Sequence, residues 1–152
     1  MKALLAVVLF FSVAAQAETF NQPILTQADK IIADVMHEAM PLDEVNTEVN
    51  QNHDNIIYQN LCGRTIYAAL VFKNLNDTWE KGMWYKMAYQ RRGVAGKTRN
   101  RIYYIYAQTE NGDLVWKGSD LNVEHNGRNY GFLAKRITTD EWGNWTQNFT
   151  CN

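Results

Sequence analysis

The chain has 152 residues, of which 46% are hydrophobic, 12% aromatic and 20% charged, and its formal net charge is −1. A nucleic-acid binder would carry a clear basic excess, so that class is excluded, and the length suits one domain with its own core. Charge is uneven along the chain: residues 18–60 hold eight acids against Lys30 (1 − 8 = −7) and residues 61–152 thirteen bases against eight acids (13 − 8 = +5), which marks two parts that attract each other.

Lys2 and a largely apolar run over residues 3–15 precede Ala15-Gln16-Ala17, a small-x-small cleavage site, so residues 1–17 read as a secretory signal peptide. The run falls short of the roughly 20 apolar residues that cross a bilayer, no later stretch reaches that length, and no cysteine at the cleavage point would carry a lipid. The expectation is an exported protein, periplasmic or secreted, without a membrane span. Cys62 and Cys151 are its two cysteines. An even count in an exported chain favours a disulfide between them, and two lone cysteines make a poor metal set.

Leu25, Ala28, Ile32, Val35, Met36 and Ala39 recur at helical spacing, which predicts an amphipathic helix over 24–40, begun by Thr26 with Asp29 and stopped by Pro41. His37-Glu38 lacks the second histidine of a zincin, whose place is taken by Pro41. Residues 42–55, rich in Asn and Asp, read as a polar linker, so 18–55 is set apart from a β domain over 56–152. Strands are expected over 56–62, 64–73, 82–90, 101–108 and 114–117, then over 130–137 and 145–151. Turns are expected at 74–77 and 91–97, and a hairpin at Asn111-Gly112. In 64–73 both faces are apolar, the mark of a strand covered on both sides. The fold class is mainly β: an antiparallel β-sandwich or barrel-like domain with one N-terminal amphipathic helix.

Asn60-Leu61-Cys62, the apolar run 68–72, Trp79 with Gly82-Met83-Trp84, Tyr103-Tyr104-Ile105-Tyr106-Ala107, and Trp116-Lys117-Gly118 follow one another here. This succession resembles a bacterial family of small exported proteins known as a domain of unknown function, with an N-x-C start, a W-x-x-G-W-W core and a Y-Y-x-Y-A strand. The resemblance covers roughly residues 56–118. Met83-Trp84 stands where the family doubles Trp, and Arg91-Arg92-Gly93 replaces its Pro-Gly-Glu turn. The resemblance implies a compact exported β domain of bacterial origin and supplies no catalytic residues.

His37, His53 and His125 fall in separate contexts, with no nucleophile motif and no metal-ligand spacing, so neither a metal nor a cofactor is expected. Asp140 and Glu141, being adjacent, point to opposite faces of an extended chain. Aromatics are more informative: Trp79, Trp84, Tyr85, Tyr89, Tyr103, Tyr104, Tyr106 and Trp116 fall within 38 positions, more than a small core obviously needs. Trp142 and Trp145, in a Gly- and Asn-rich loop, are expected to be exposed. Arg91, Arg92, Lys97, Arg99 and Arg101 form a dense basic segment, expected at a hairpin tip. Trp, Tyr and Arg dominate binding hot spots. The expected function is therefore a non-catalytic module that recognises an unknown protein or glycan of the cell envelope through Trp79, Trp84, Arg91, Arg92, Arg99, Trp142 and Trp145. The alternatives are an inhibitor or immunity-type protein, and an enzyme whose site, for instance His125 with Asp140 and Glu141, is assembled only by the fold.

Overall fold

A computed structural model describes residues 39–45 and 52–151. The expected signal peptide, and the expected helix up to residue 38, lie outside these residues. In chain order the strands are β1 (Asp54–Asn60), β2 (Ile66–Lys73), β3 (Trp79–Met87), β4 (Arg92–Thr98), β5 (Ile102–Thr109), β6 (Val115–Trp116), β7 (Leu121–His125), β8 (Arg128–Arg136) and β9 (Asn144–Phe149). They form two sheets, one ordered β4-β1-β9 and the other β3-β2-β5-β8-β7, with β6 also paired to β5. Every ladder is antiparallel except β1–β9, which is parallel. The mainly β architecture is as expected, and no helix occurs among the described residues.

Two cores follow from β2 being apolar on both faces. Ile66, Ala68, Leu70 and Phe72 meet Ile56, Tyr58, Tyr103, Ile105 and Phe149 between the sheets. On the opposite face Tyr67, Ala69 and Val71 pack with Trp84, Tyr106, Val123, Tyr130 and Phe132. This second cluster exists because the larger sheet curls on itself and brings β7 towards β3, which gives the sheet its barrel-like character. Large apolar side chains buried in this way contribute about 1.5–3 kcal/mol each.

The segment expected to be a turn, 91–97, is instead strand β4, in register with β1. Its glycines are there for close packing. A Cβ on Gly96 would lie 2.8 Å from the Phe72 ring, and one on Gly93 would lie 2.5 Å from Leu42 Cβ. Leu42, expected in a polar linker, is buried between the sheets. Residues around it strap the two sheets together. The Met40 N–H donates to Trp84 O at 2.8 Å, the Val94 N–H to Asp43 O at 3.0 Å, and Arg91 Nη2 to Leu42 O at 3.1 Å.

Tyrosines bridge the sheets in both directions. Tyr58 on β1 donates its hydroxyl to Ala69 O on β2 at 3.0 Å, and Tyr85 on β3 donates to Ala95 O on β4 at 2.6 Å. The register of β1–β4 shifts between Ile56, opposite Gly96, and Ile57, opposite Val94, which leaves Ala95 as a bulge. The Tyr85 hydroxyl satisfies the carbonyl that the bulge takes out of the ladder. Cys62 and Cys151 form a disulfide with Cα atoms 4.8 Å apart, and it ties the chain beyond β1 to the end of β9.

Candidate functional site

Trp79 and Trp84 are five positions apart, so on a regular strand they would point to opposite faces. The β2–β3 register shifts between Leu70 and Phe72, after which Trp79 stands opposite Lys73 while Trp84 stands opposite Ala69. Both tryptophans therefore face the inside of the curled sheet. There Trp79 lies 5.9 Å from Tyr104, while Trp84 lies 5.7 Å from Tyr106 and 5.2 Å from Tyr130. Tyr104 and Tyr106 share one face of β5, and Tyr104 packs against the inner cluster. Trp84 is 1% exposed, a core residue, which removes it from the expected binding surface. Trp79 is 41% exposed.

Trp79 lines an open groove of about 550 Å³ with Lys73, Asn74, Leu75, Asp77, Arg99 and Asn100. The volume falls within the range of small-ligand sites. Its walls are held by internal bonds. The Asn74 side chain accepts from the N–H groups of Asn76 (2.9 Å) and Thr78 (3.1 Å) and donates to Glu80 at 2.7 Å. Lys73 pairs with Asp77 at 2.7 Å, and Arg99 donates to the carbonyls of Asn52 (3.1 Å) and Leu75 (3.2 Å). The fold thus brings Trp79 and Arg99 to one groove. Lys73, Asn74 and Asn100 were not expected there, because the 74–77 turn meets the β4–β5 turn only in three dimensions.

The remaining candidates lie elsewhere. Arg91 and Arg92 are exposed at the start of β4, with the length of that strand, roughly 23 Å, between them and Arg99. The basic segment is accordingly dispersed along a strand rather than gathered at a tip. Trp142 and Trp145, expected to be exposed, are both part-buried. The Arg101 guanidinium lies 4.7 Å over the Trp142 ring, donates to Thr139 O and to Asp140 O, and faces the buried Asp54 carboxylate at 3.4 Å. Trp145 packs on the inter-sheet core, and its Nε1 donates to the Tyr103 hydroxyl at 2.9 Å. Burial pushes the Tyr103 hydroxyl up to about 12, an effect the Trp145 hydrogen bond opposes.

His125 ends β7 beside Trp84 and Tyr130, whereas Asp140 and Glu141 follow β8, so the length of that strand separates the histidine from the two acids. Among the described residues no group of three His, Cys, Asp or Glu has a metal-holding arrangement, and no helix is long and apolar enough to cross a membrane.

Compared with protein-family models and with curated proteins, the chain matches none. The motif residues that carry the sequence resemblance have structural work in this fold. Asn60 is fully buried; it donates to Arg64 O (2.8 Å) and Met87 O (2.9 Å) and accepts from the Cys62 N–H (2.8 Å), which shapes the turn that presents Cys62 to Cys151. Tyr103, Ile105 and Ala107 belong to the inter-sheet core, and Trp84 to the inner one.

Proposed function

We propose that this chain is an exported, non-catalytic binding module of bacterial origin that recognises a protein or glycan ligand of the cell envelope through the Trp79–Arg99 groove. One observation carries the reading: of the five tryptophans, all within the described residues, Trp79 alone is exposed, and it stands in a groove whose walls are tied by internal hydrogen bonds. An indole held on one side by Tyr104 offers its free face to a sugar ring or an apolar side chain. Arg99 and Asn100 bring charge and amide groups to the same opening. Export is supported by the signal-like residues 1–17 and fits the Cys62–Cys151 bond, since disulfides persist in oxidising compartments. The sequence resemblance to small exported bacterial domains points the same way.

The test is retention of the oxidised protein on purified cell-wall glycan and on immobilised envelope proteins, measured for wild type and Trp79→Ala. The variant should lose retention by about tenfold or more, as truncating a hot-spot aromatic does, with its near-UV circular dichroism intact outside the tryptophan contribution. Wild-type retention by a folded variant would place recognition away from this groove.

A further inference from the structure

Four strands of more than two residues end a sheet: β4 and β9 in the smaller one, β3 and β7 in the larger. An uncovered edge offers its N–H and C=O groups to any other extended chain, and proteins guard it with charge or with a covering segment. Three of these edges are guarded. β4 carries Arg92 and Lys97 and takes a bridge from Asp43 at Val94, β3 carries Glu80, Lys81 and Lys86 and takes a bridge from Met40 at Tyr85, and β7 carries Glu124. β9 reads Asn144-Trp145-Thr146-Gln147-Asn148-Phe149, with no charged residue and no proline. Among the described residues β1 is its one partner.

The register fixes which backbone groups of β9 face outward. At the two ends of the parallel ladder the Asn55 N–H donates to Gly143 O at 2.7 Å and the Leu61 N–H to Phe149 O at 2.8 Å. Bonding alternates along such a ladder, so the odd-numbered residues of β9 turn their backbone groups to β1, and Asn144, Thr146 and Asn148 turn theirs to the open side. The Asn148 carbonyl accepts from Gln147 Nε2 at 2.9 Å, which leaves it a second lone pair. The side chains of Asn144, Thr146 and Asn148 point away from the inter-sheet core, because Trp145 and Phe149 point into it.

We propose that β9 pairs antiparallel with β9 of a second copy of this chain, about a two-fold axis at Thr146. Thr146 then stands opposite the partner's Thr146, and Asn144 opposite the partner's Asn148. The strand suits self-pairing. It is neutral, so two copies meet without like-charge repulsion, and Thr–Thr and Asn–Asn pairs can hydrogen-bond across the new ladder. The contact is isologous and uses up the open edge, which leaves guarded β4 strands at both ends of one joined sheet, so assembly stops at two. No residue of β9 lines the Trp79 groove, so pairing through β9 does not use it. The 6 residues of the strand span about 20 Å and bury less than the roughly 1,600 Å² of a standard interface. The dimer should therefore depend on concentration, half-dissociating in the range of about 10–1000 µM.

Sedimentation velocity of the oxidised protein across that range reads the association, and amide exchange locates it. Wild type should pass from monomer to dimer, with protection of the Thr146 amide rising alongside. Thr146→Pro should weaken the dimer at least tenfold. It deletes the N–H at the centre of the pairing, and that N–H makes no bond to β1, so the fold should keep its near-UV circular dichroism. Thr146→Lys, which asks nothing new of the backbone, should weaken the dimer to a similar degree by setting two like charges opposite each other, and added salt should restore part of the loss. The proposal is overturned if wild type stays monomeric throughout, if it assembles beyond the dimer, or if either folded variant dimerises like wild type. It is overturned equally if the Thr146 amide is protected to the same extent at every concentration, which would place another segment of the chain on this edge.

Discussion

Reducing the Cys62–Cys151 bond perturbs this domain where it has least local support. Among the described residues β9 has one ladder, the parallel one with β1, and parallel pairing is slightly the weaker kind. The bond joins residues 89 apart in sequence, so in the chain-entropy account it restrains the unfolded chain by about 4.6 kcal/mol. A single domain is typically stable by about 5–15 kcal/mol, so the loss would take much of the total. Urea unfolding of oxidised and reduced protein measures it directly. With a slope of about 2 kcal/mol/M, the midpoint should fall by roughly 2 M on reduction. Amide exchange adds a spatial check: protection in β9 should fall further than protection in β2, which is hydrogen-bonded on both sides. A midpoint shift below about 0.5 M, or equal loss of protection in the two strands, would refute the view that this bond both restrains the unfolded chain and holds β9 on β1.

Trp84→Ala should cost about 3–5 kcal/mol and Trp79→Ala less than about 1 kcal/mol; calorimetry giving equal losses would contradict the placement of one in the core and the other at the surface. Gly96→Val should destabilise by about 1–3 kcal/mol through overpacking against Phe72, while Gly63→Ala, whose added Cβ meets nothing within 4 Å, should leave the melting temperature nearly unchanged. The Thr109 hydroxyl and then Arg64 pull the Asp113 carboxyl down to about 2 from 3.8; its contribution to the 110–114 loop is therefore full above about pH 4 and lost as pH falls through about 2, and a carboxyl ¹³C titration that shows Asp113 protonating near 4 would contradict it. Burial raises the hydroxyls of Tyr58 and Tyr85 above their ordinary value, so stability should be intact below about pH 10 and decline above it, and a 295 nm titration should show these groups ionising together with unfolding rather than before it.

How much was legible depended on whether each decision was local. Strand β2 could be read because a run apolar on both faces has to be covered on both, and the disulfide because two cysteines have one pairing. The β7–β8 hairpin also has a local signal, Asn126-Gly127 between Leu121, Val123 and His125 on one side and Tyr130 and Phe132 on the other, but its polar neighbours weaken the alternation around it. Strand β4 was not readable. Gly93 and Gly96 look like turn residues, and the reason for them is the approach of Leu42 and Phe72 from other parts of the chain. The parallel pairing of β1 with β9 and the bulge that turns Trp79 to the face of Trp84 are tertiary outcomes too. For the candidate site, residue type alone cannot separate Trp79 and Arg99, which the fold brings to one groove, from Trp84, Trp142 and Trp145, which packing buries wholly or in part.

The aromatic excess that first suggested a binding surface divides under this geometry into two kinds. Trp84, Tyr103, Tyr106, Tyr130 and Trp145 are held by ring contacts and hydrogen bonds on several sides, and each stiffens what surrounds it. Trp79 is held on one side, by Tyr104, and is 41% exposed. The walls of the Trp79 groove are tied by the Asn74 side chain, the Lys73–Asp77 pair and the Arg99 hydrogen bonds, so the site is largely formed before a ligand arrives. A preformed site loses little conformational freedom on binding, so modest contacts suffice for useful affinity. Specificity then rests on the few polar groups at its rim: Lys73 is paired with Asp77, and Arg99 and Asn100 line the same opening, so a mixed or neutral ligand fits there better than an anion.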